Sequence, residues 1–329
     1  MEETKEIAQN QPEQSEEKKG NSIYQSVLLI SVITALVSMP AFIIVYKYIP
    51  VISIPIGSGF RIDHILTFGL IYAFFYVLIK KFRIIVYGGL ILGLVALTIT
   101  NFMDVYTLKN VYHDYKSMLF SLSERSVNST FKQNEIEYTK EQEIRQAINY
   151  QDDSVIEFAR NKAVANFEED ASLAPDSRIP QFFSIFKEIK NRWIYVYDPK
   201  NSEYFAKASQ TIQYLNADDK FKGDCDDYSI LMAASIKAVG GEVRLVKTTV
   251  PDGDRNVGHL YPEVKVGSRK DLETIIYLIK NIYFPKESKG KKIHYYIDEK
   301  GDVWLNFDYN DDFPGNEYQS DIRDSEIFI

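Results

Sequence analysis

The stretch that decides the fold is Gly223-Asp-Cys-Asp-Asp-Tyr-Ser229, which contains the single cysteine of the chain, Cys225. The segment that follows it, Tyr228 to Gly241, has the apolar spacing of a helix and ends in two glycines. Cys225 is therefore predicted at or near a helix N-terminus, where the helix dipole favours a thiolate over a thiol. A position preceded by glycine and surrounded by carboxylates is unusual for a core cysteine, so the pattern indicates a reactive thiol.

Two further segments follow in the order that thiol chemistry needs. Gly258 to Val266 has the pattern of a strand with His259 near its start. Asp302 to Tyr309 has the pattern of a second strand, with Asp308 near its end. An imidazole can hold a thiolate and later protonate a leaving group, and a carboxylate can fix the imidazole tautomer. The order Cys, His, Asp on one helix and two strands predicts nucleophilic catalysis.

These residues resemble a known family. Gly223-Asp-Cys-Asp-Asp227, Gly258-His259 with its strand, and Trp304-Leu-Asn-Phe-Asp308 are similar to the three conserved blocks of the transglutaminase-like superfamily. The similarity extends over roughly Pro180 to Asn310 and includes the upstream segment Phe186 to Pro199. It implies an α+β fold with a papain-like core, in which the cysteine helix packs on an antiparallel sheet. It also implies that Cys225 is the nucleophile, His259 the general base and acid, and Asp308 the orienting acid.

The reaction that this resemblance implies is acyl transfer through a thioester on a peptide or amide bond. Hydrolysis by a protease or amidase is the main prediction, and a cross-linking transglutaminase is the alternative. The expected substrate is a protein, a peptide or a cell-wall peptide. The backbone N–H of Cys225 is one predicted oxyanion donor, and Tyr204 and Gln210 are candidates for the second. No cofactor is predicted, and one cysteine with four scattered histidines gives no spacing typical of metal ligands.

A non-catalytic interpretation is also open. Asp224 suits a helix N-cap, and Asp226 and Asp227 suit a first helical turn, so the cluster could be a solvated cap with an incidental thiol. The protein would then be an envelope scaffold whose membrane helices assemble with a partner. That interpretation leaves the histidine and aspartate blocks as coincidences.

An insertion separates the two predicted strands. Gly267 to Lys292 contains a segment of helical spacing and then the basic run Lys286 to Lys292. Because it joins the strands that hold His259 and Asp308, we expect a helix and basic loop beside the active site, with a role in selecting the substrate or partner. The alternative is that the insertion only adds packing to the sheet. The insertion also leaves His294, Asp298 and Asp302 as alternative neighbours of His259, although the Trp-x-x-x-Asp context favours Asp308.

Three apolar runs precede this domain, at about 27–49, 64–79 and 84–100. A spanning helix needs about 20 apolar residues, so three membrane helices are predicted, with one anchor and a buried hairpin as the alternative. Lys80, Lys81 and Arg83 lie between the second and third runs. Because short basic loops stay in the cytoplasm, the N-terminus is predicted inside and the catalytic domain outside.

The remaining organisation follows from composition. Residues 1–20 are polar and charged and predict a disordered cytoplasmic tail, 21–101 contain the spans, 102–179 a helical stalk, and 180–329 the catalytic domain. The net charge is −8, and no basic stripe indicates nucleic-acid binding. A single cysteine excludes an intramolecular disulfide, and an extracytoplasmic domain without disulfides favours a bacterial or archaeal envelope over a eukaryotic cell surface. The predicted location is the inner, or cytoplasmic, membrane.

Overall fold

The computed structural model describes residues 11–48, 62–121, 126–133, 140–197, 204–253 and 255–329. The chain divides into two compact units, residues 1–118 and 119–329. The first unit contains helices only, and the second combines helices with a mixed sheet in the described part of the chain. The predicted α+β class is confirmed.

Long apolar helices form the first unit. These are α1 (Gln11–Val45), α2 (Ile62–Lys81), α3 (Arg83–Phe102) and most of α4 (Leu108–Ser121). Within the described residues, three segments are long and apolar enough to cross a membrane: Val27–Val45, Ile62–Lys81 and Ile84–Phe102. They coincide with the three runs predicted from the sequence, because span length and apolar composition are local properties.

The polar N-terminal segment differs from the prediction. Disorder was expected through residue 20, but α1 begins at Gln11, and residues 1–10 lie outside the described residues. Glu, Gln and Lys are good helix formers, and extending an existing helix requires no new nucleation. The apolar span can therefore propagate helix into a polar tail that could not fold alone.

Helices of the second unit enclose the cysteine helix. They are α5 (Glu141–Ile148), α6 (Asp153–Ala163), α7 (Arg178–Lys190), α8 (Ala208–Asp218), α9 (Cys225–Ala238) and α10 (Leu272–Leu278). Helices α5 to α8 all contact α9, and residues Asp227 to Ile236 of α9 are buried without interruption. The cysteine helix is thus the central helix of the core, and only its two ends are partly exposed.

The strands form one large sheet and two small ones. They are β1 (Ser126–Asn128), β2 (Lys132–Gln133), β3 (Trp193–Tyr195), β4 (Phe221–Gly223), β5 (Val243–Asp252), β6 (Arg255–Ser268), β7 (Ile293–Ile297), β8 (Asp302–Asn306), β9 (Ile322–Arg323) and β10 (Ser325–Phe328). The large sheet has the order β1-β7-β8-β6-β5-β10, antiparallel except for the parallel pair β1–β7. Pairs β2–β9 and β3–β4 are parallel.

Helix α9 packs against β5 and β6, where Leu245, Leu260 and Val264 share its apolar core. The hydroxyl of Ser229 donates to the carbonyl of Leu260 at 2.9 Å and ties the helix to the strand. This is the helix-on-antiparallel-sheet arrangement that the family resemblance implies, and it is confirmed.

The domain boundary lies earlier than residue 180. The second unit begins at Leu119, and the segment expected to be a stalk contributes Ile144, Val155 and Phe158 to the main core. Strand β1, from the same segment, pairs with β7 at the edge of the sheet. Helices α5 and α6 are short and amphipathic, and they bury their apolar faces against α9 instead of standing free.

The insertion emerges at the opposite end of the sheet from His259. Strand β6 is 14 residues long and ends at Ser268. Ser268 therefore lies about 30 Å along the strand from His259, at a rise of about 3.3 Å per residue. Helix α10 and the π-helical turn Ile279–Tyr283 pack into the core there. No residue of Gly267 to Lys292 lines the cavity beside His259, so the predicted position next to the active site is wrong.

Candidate active site

Cys225 is the first residue of α9, and β4 ends two residues before it. The Asp224 side chain caps the helix and accepts hydrogen bonds from the backbone N–H groups of Asp226, at 3.0 Å, and Asp227, at 3.4 Å. This capping agrees with the structural role expected for Asp224. It fixes the start of the helix, and with it the direction of the Cys225 side chain.

A close contact behind the cysteine requires glycine at position 223. The Asp227 carboxylate accepts a hydrogen bond from the backbone N–H of Ala206 at 2.9 Å and is buried. A Cβ atom on Gly223 would lie 2.5 Å from Oδ2 of Asp227. Asp227 is therefore a structural residue that ties the first turn of α9 to the preceding chain, and Gly223 leaves room for it.

His259 on β6 meets Asp308, which follows the adjacent strand β8. Glu263 of β6 pairs with Asn306 of β8, and Asp308 follows two residues after β8 ends. The Nε2 atom of His259 lies 2.7 Å from Oδ2 of Asp308, and both side chains are buried. The structure therefore brings together the histidine and the aspartate that the sequence analysis expected to be partners.

The alternative neighbours of His259 have other partners. Asp298 accepts a hydrogen bond from Nε1 of Trp304 at 3.0 Å. Asp302 pairs with Lys265 at 2.9 Å. His294 lies on β7, which is separated from β6 by β8. These contacts leave Asp308 as the carboxylate that orients the imidazole.

Cys225 and His259 open into one cavity of about 460 Å³. Tyr195 and Tyr197 line one part of it, and Val250, Pro251 and Val257 of the β5–β6 hairpin also contribute. Since Asp308 occupies Nε2 of the imidazole, Nδ1 is the ring nitrogen that remains for the thiol. The cavity therefore presents a thiol and an oriented imidazole to the same space.

Burial is the main cause that raises the pKa of the Cys225 thiol well above its ordinary value. The Asp226 carboxylate raises the pKa further, and its Oδ1 atom accepts a hydrogen bond from the thiol at 3.6 Å. The backbone of Leu260 acts in the opposite direction. The helix N-terminus alone was expected to favour a thiolate, but burial and carboxylates outweigh it, so the resting group is a neutral thiol unless a nearby cation forms.

Two hydroxyl groups beside the thiol stay protonated at neutral pH. Burial raises the pKa of Tyr195 and of Tyr309 above the ordinary value, and a nearby carboxylate adds to the effect at each, Asp224 at Tyr195 and Asp308 at Tyr309. The two hydroxyls hydrogen bond with each other. Both residues line the cavity, and since one hydroxyl donates to the other, the pair has one further hydroxyl proton at the cavity wall.

The two residues proposed as the second oxyanion donor lie elsewhere. The hydroxyl of Tyr204 donates to Oε1 of Gln210 at 3.1 Å, and the same oxygen accepts from the backbone N–H of Lys207 at 3.1 Å. Gln210 therefore stabilises the start of α8, and neither it nor Tyr204 lines the cavity. The tertiary structure places Tyr195 there instead, and the geometry does not support Tyr204 or Gln210 as oxyanion donors.

Sequence reasoning also missed Gln319. Its side-chain nitrogen lies 2.9 Å from Nε2 of His259 and 3.1 Å from Oδ2 of Asp308. Nothing in the local sequence around Gln319 indicates this contact, which depends on how the last strands fold back onto the sheet. Within the described residues, no group of three or more His, Cys, Asp or Glu side chains is placed to hold a metal ion.

Part of the second unit matches a known protein family. Residues 166–309 match the family model described as the transglutaminase-like superfamily. A solved structure of a candidate cysteine protease from Cytophaga hutchinsonii is similar at 16% identity, with a TM-score of 0.27. The similarity covers 38% of this chain and 39% of that one, so the chain spans about two fifths of the length of that protein. No curated protein matches.

Proposed function

Since residues 166–309 form a transglutaminase-like superfamily domain, a family of cysteine-dependent enzymes, we propose that the protein is a membrane-anchored cysteine hydrolase of peptide or amide bonds. The observation that supports this most is the opening of Cys225 and the His259–Asp308 pair into one cavity. The proposed substrate is a protein, a peptide or a cell-wall peptide on the outer side of the membrane.

The proposed reaction begins with transfer of the thiol proton to Nδ1 of His259 as sulfur attacks the carbonyl carbon. The imidazolium formed in this step offsets the carboxylates that disfavour the thiolate, and Asp308 stabilises it through Nε2. The carbon–nitrogen bond then breaks, and the departing amine takes the proton from His259. Water, activated by the same imidazole, hydrolyses the thioester and restores the thiol.

Charge on the carbonyl oxygen needs hydrogen-bond donors. The backbone N–H of Cys225 stands at the start of α9, where the helix dipole is positive, and Asp224 caps the two following N–H groups instead. Tyr195 lies on the cavity wall with a protonated hydroxyl. We propose these two groups as the oxyanion donors, in place of Tyr204 and Gln210.

Alkylation by iodoacetamide tests the proposal in the full-length protein. Cys225 should react in the wild type at pH 7, and the rate should fall by about tenfold or more in His259→Ala, because thiol and base act as one unit. Asp308→Ala should retain an intermediate rate, since an orienting acid is only partly required. Cys225→Ala gives the background, and His294→Ala is the matched control.

Equal alkylation of the wild type and His259→Ala would contradict the thiol–imidazole pair. Hydrolysis and transfer are separated by adding a primary amine to a reaction on a peptide library. Release of free acid products that persists in excess amine supports the hydrolase, whereas amine incorporation into the product favours the cross-linking alternative.

A further inference from the structure

Gln319 contacts both members of the His259–Asp308 pair. Its side-chain nitrogen is 2.9 Å from Nε2 of His259 and 3.1 Å from Oδ2 of Asp308. His259 and Asp308 are 5% and 1% exposed, whereas Gln319 is an exposed residue. Its amide therefore lies between the buried pair and solvent, at the wall of the same cavity.

The hydrogen-bonding roles follow from the chemistry of the groups. An amide NH₂ can only donate, and an ionised carboxylate can only accept. When His259 carries its proton on Nε2 and donates it to Asp308, the Gln319 amide donates to the same carboxylate oxygen, and its 2.9 Å approach to Nε2 is then a contact between two donors and not a hydrogen bond. Oδ1 of Asp308 accepts separately from the backbone N–H of Tyr309 at 2.8 Å. Both oxygens of the Asp308 carboxylate therefore accept hydrogen bonds.

Two anchors fix the segment that holds Gln319. The Arg323 guanidinium lies 2.5 Å from the Glu263 carboxylate, and both side chains are almost fully buried. Strand β10 then pairs with β5 from Ser325 to Phe328. Gln319 is four residues before Arg323, so its backbone is held close to the sheet. Position 319 lies outside the matched family region, which ends at residue 309.

We propose that Gln319 is a positioning residue for the catalytic pair, supplied by the C-terminal segment beyond the family region. Its amide fixes the Asp308 carboxylate and closes the solvent side of the bond between Asp308 and His259. The imidazole then keeps its proton on Nε2, donates it to the Asp308 carboxylate, and turns Nδ1 toward Cys225. This inference rests on the proposed function for its effect on reactivity, but the contact itself is testable without it.

The test compares Gln319→Ala with Gln213→Ala in the full-length protein in detergent. Gln213 is an exposed glutamine on α8 and controls for loss of an amide from the surface. Three quantities are measured: the rate of Cys225 alkylation, the downfield proton resonance of the His259–Asp308 hydrogen bond, and the midpoint of thermal unfolding. The resonance is assigned by its loss in His259→Ala.

In Gln319→Ala, we expect alkylation about tenfold slower, as for loss of a hydrogen bond to a charged group. The downfield resonance should broaden through exchange with water, while the unfolding midpoint stays close to that of Gln213→Ala. Gln319→Glu should not restore the rate at pH 7, because a carboxylate cannot donate to Asp308.

Unchanged alkylation and an unchanged resonance in Gln319→Ala would overturn the proposal. A large fall in the unfolding midpoint in parallel with both signals would also overturn it, because the effect would then be global. If the wild type and His259→Ala alkylate equally, the proposed function fails, and the resonance alone decides whether Gln319 shields the pair.

Discussion

At the scale of single residues, the site depends on where small and charged groups fit. Cys225 is partly buried beside two carboxylates, and its thiol is not activated by the helix terminus alone. The arrangement is consistent with a mechanism in which charge separation occurs only when His259 accepts the proton. Such a thiol would be protected from general oxidation, because oxidants react with the thiolate.

At position 223, the contacts around the first turn of α9 leave no room for a side chain. Gly223→Ala would place Cβ 2.5 Å from Oδ2 of Asp227, whose carboxylate is held by Ala206. We expect a loss of ~1–3 kcal/mol in the free energy of unfolding, from strain of this kind. The alkylation rate of Cys225 should fall as well, because the first turn of α9 must shift.

Thermal and urea unfolding of Gly223→Ala measure this effect. Gly258→Ala is the matched control, since its Cβ would meet only Cε of Lys247 at 3.8 Å, an ordinary contact. If both variants unfold at the wild-type midpoint, the close contact between Gly223 and Asp227 does not constrain the protein.

At the scale of elements, pairing between strands brings the residues of the candidate site together. The sequence pattern predicted strands with His259 and near Asp308, and the structure extends the first to 14 residues. His259 lies nearer the start of this strand and the insertion follows its end, so the insertion leaves the sheet far from His259. The strand bounds were predicted to within three residues, and the error lay in expecting a connection between two strands to border the residues that those strands hold.

The C-terminal strands are held to the sheet by a buried ionic network. Glu263 is fully buried and contacts Arg323 at 2.5 Å and Arg244 at 2.6 Å. Burial raises the pKa of Glu263, but the two guanidinium groups prevail and hold its pKa below the ordinary value of 4.5. A lowered carboxyl pKa stabilises the fold at neutral pH, and this stability is lost as the pH falls below 4.5.

Arg323→Met tests the network. Removing Arg323 leaves only Arg244 to compensate the buried Glu263 charge, and breaking a buried pair of this kind should cost up to about 3–5 kcal/mol at pH 7. The difference from the wild type should narrow as the pH falls through 4.5 and Glu263 becomes protonated. Unfolding midpoints at pH 7 and at acidic pH measure both effects.

Lys265→Met is the control for that experiment. Lys265 pairs with Asp302 at 2.9 Å near the surface, and such pairs contribute about 0–1 kcal/mol. The difference in unfolding midpoint between Arg323→Met and the wild type could instead stay constant with pH. That result would show that Arg323 stabilises the fold by packing on aromatic rings rather than by pairing with Glu263.

At the scale of the whole molecule, three helices that could cross a membrane precede the enzyme unit. Lys80 and Lys81 end α2, and Arg83 begins α3. Since short basic loops remain cytoplasmic, we predict that the second unit lies outside. A phosphatase reporter that functions only outside the cytoplasm, fused after Ile329, should therefore be active.

The same reporter fused after Lys81 is the matched control, because this fusion ends in the predicted cytoplasmic loop and should be inactive. Replacing Lys80, Lys81 and Arg83 with asparagine should reduce the difference between the two fusions. Activity of the Lys81 fusion together with silence of the Ile329 fusion would reverse the predicted orientation.

The amino-acid sequence by itself determined the features that depend on neighbours in the chain. Three apolar runs predicted the three long helices, and Gly-Asp-Cys-Asp-Asp predicted a capped helix that starts at the cysteine. The order of the cysteine, histidine and aspartate blocks predicted the family and the pairing of His259 with Asp308. Periodicity, capping and block order are written in short windows of sequence, so they can be read without a fold.

Only the tertiary structure decided what distant segments do to each other. It placed Gln319 beside His259, put Tyr195 rather than Tyr204 at the cavity, and moved the insertion away from the site. It also placed Cys225 partly buried and near carboxylates, which reversed the expected direction of its pKa. Burial, hydrogen-bond partners and local charge arise from contacts between elements remote in sequence, and no local pattern contains them.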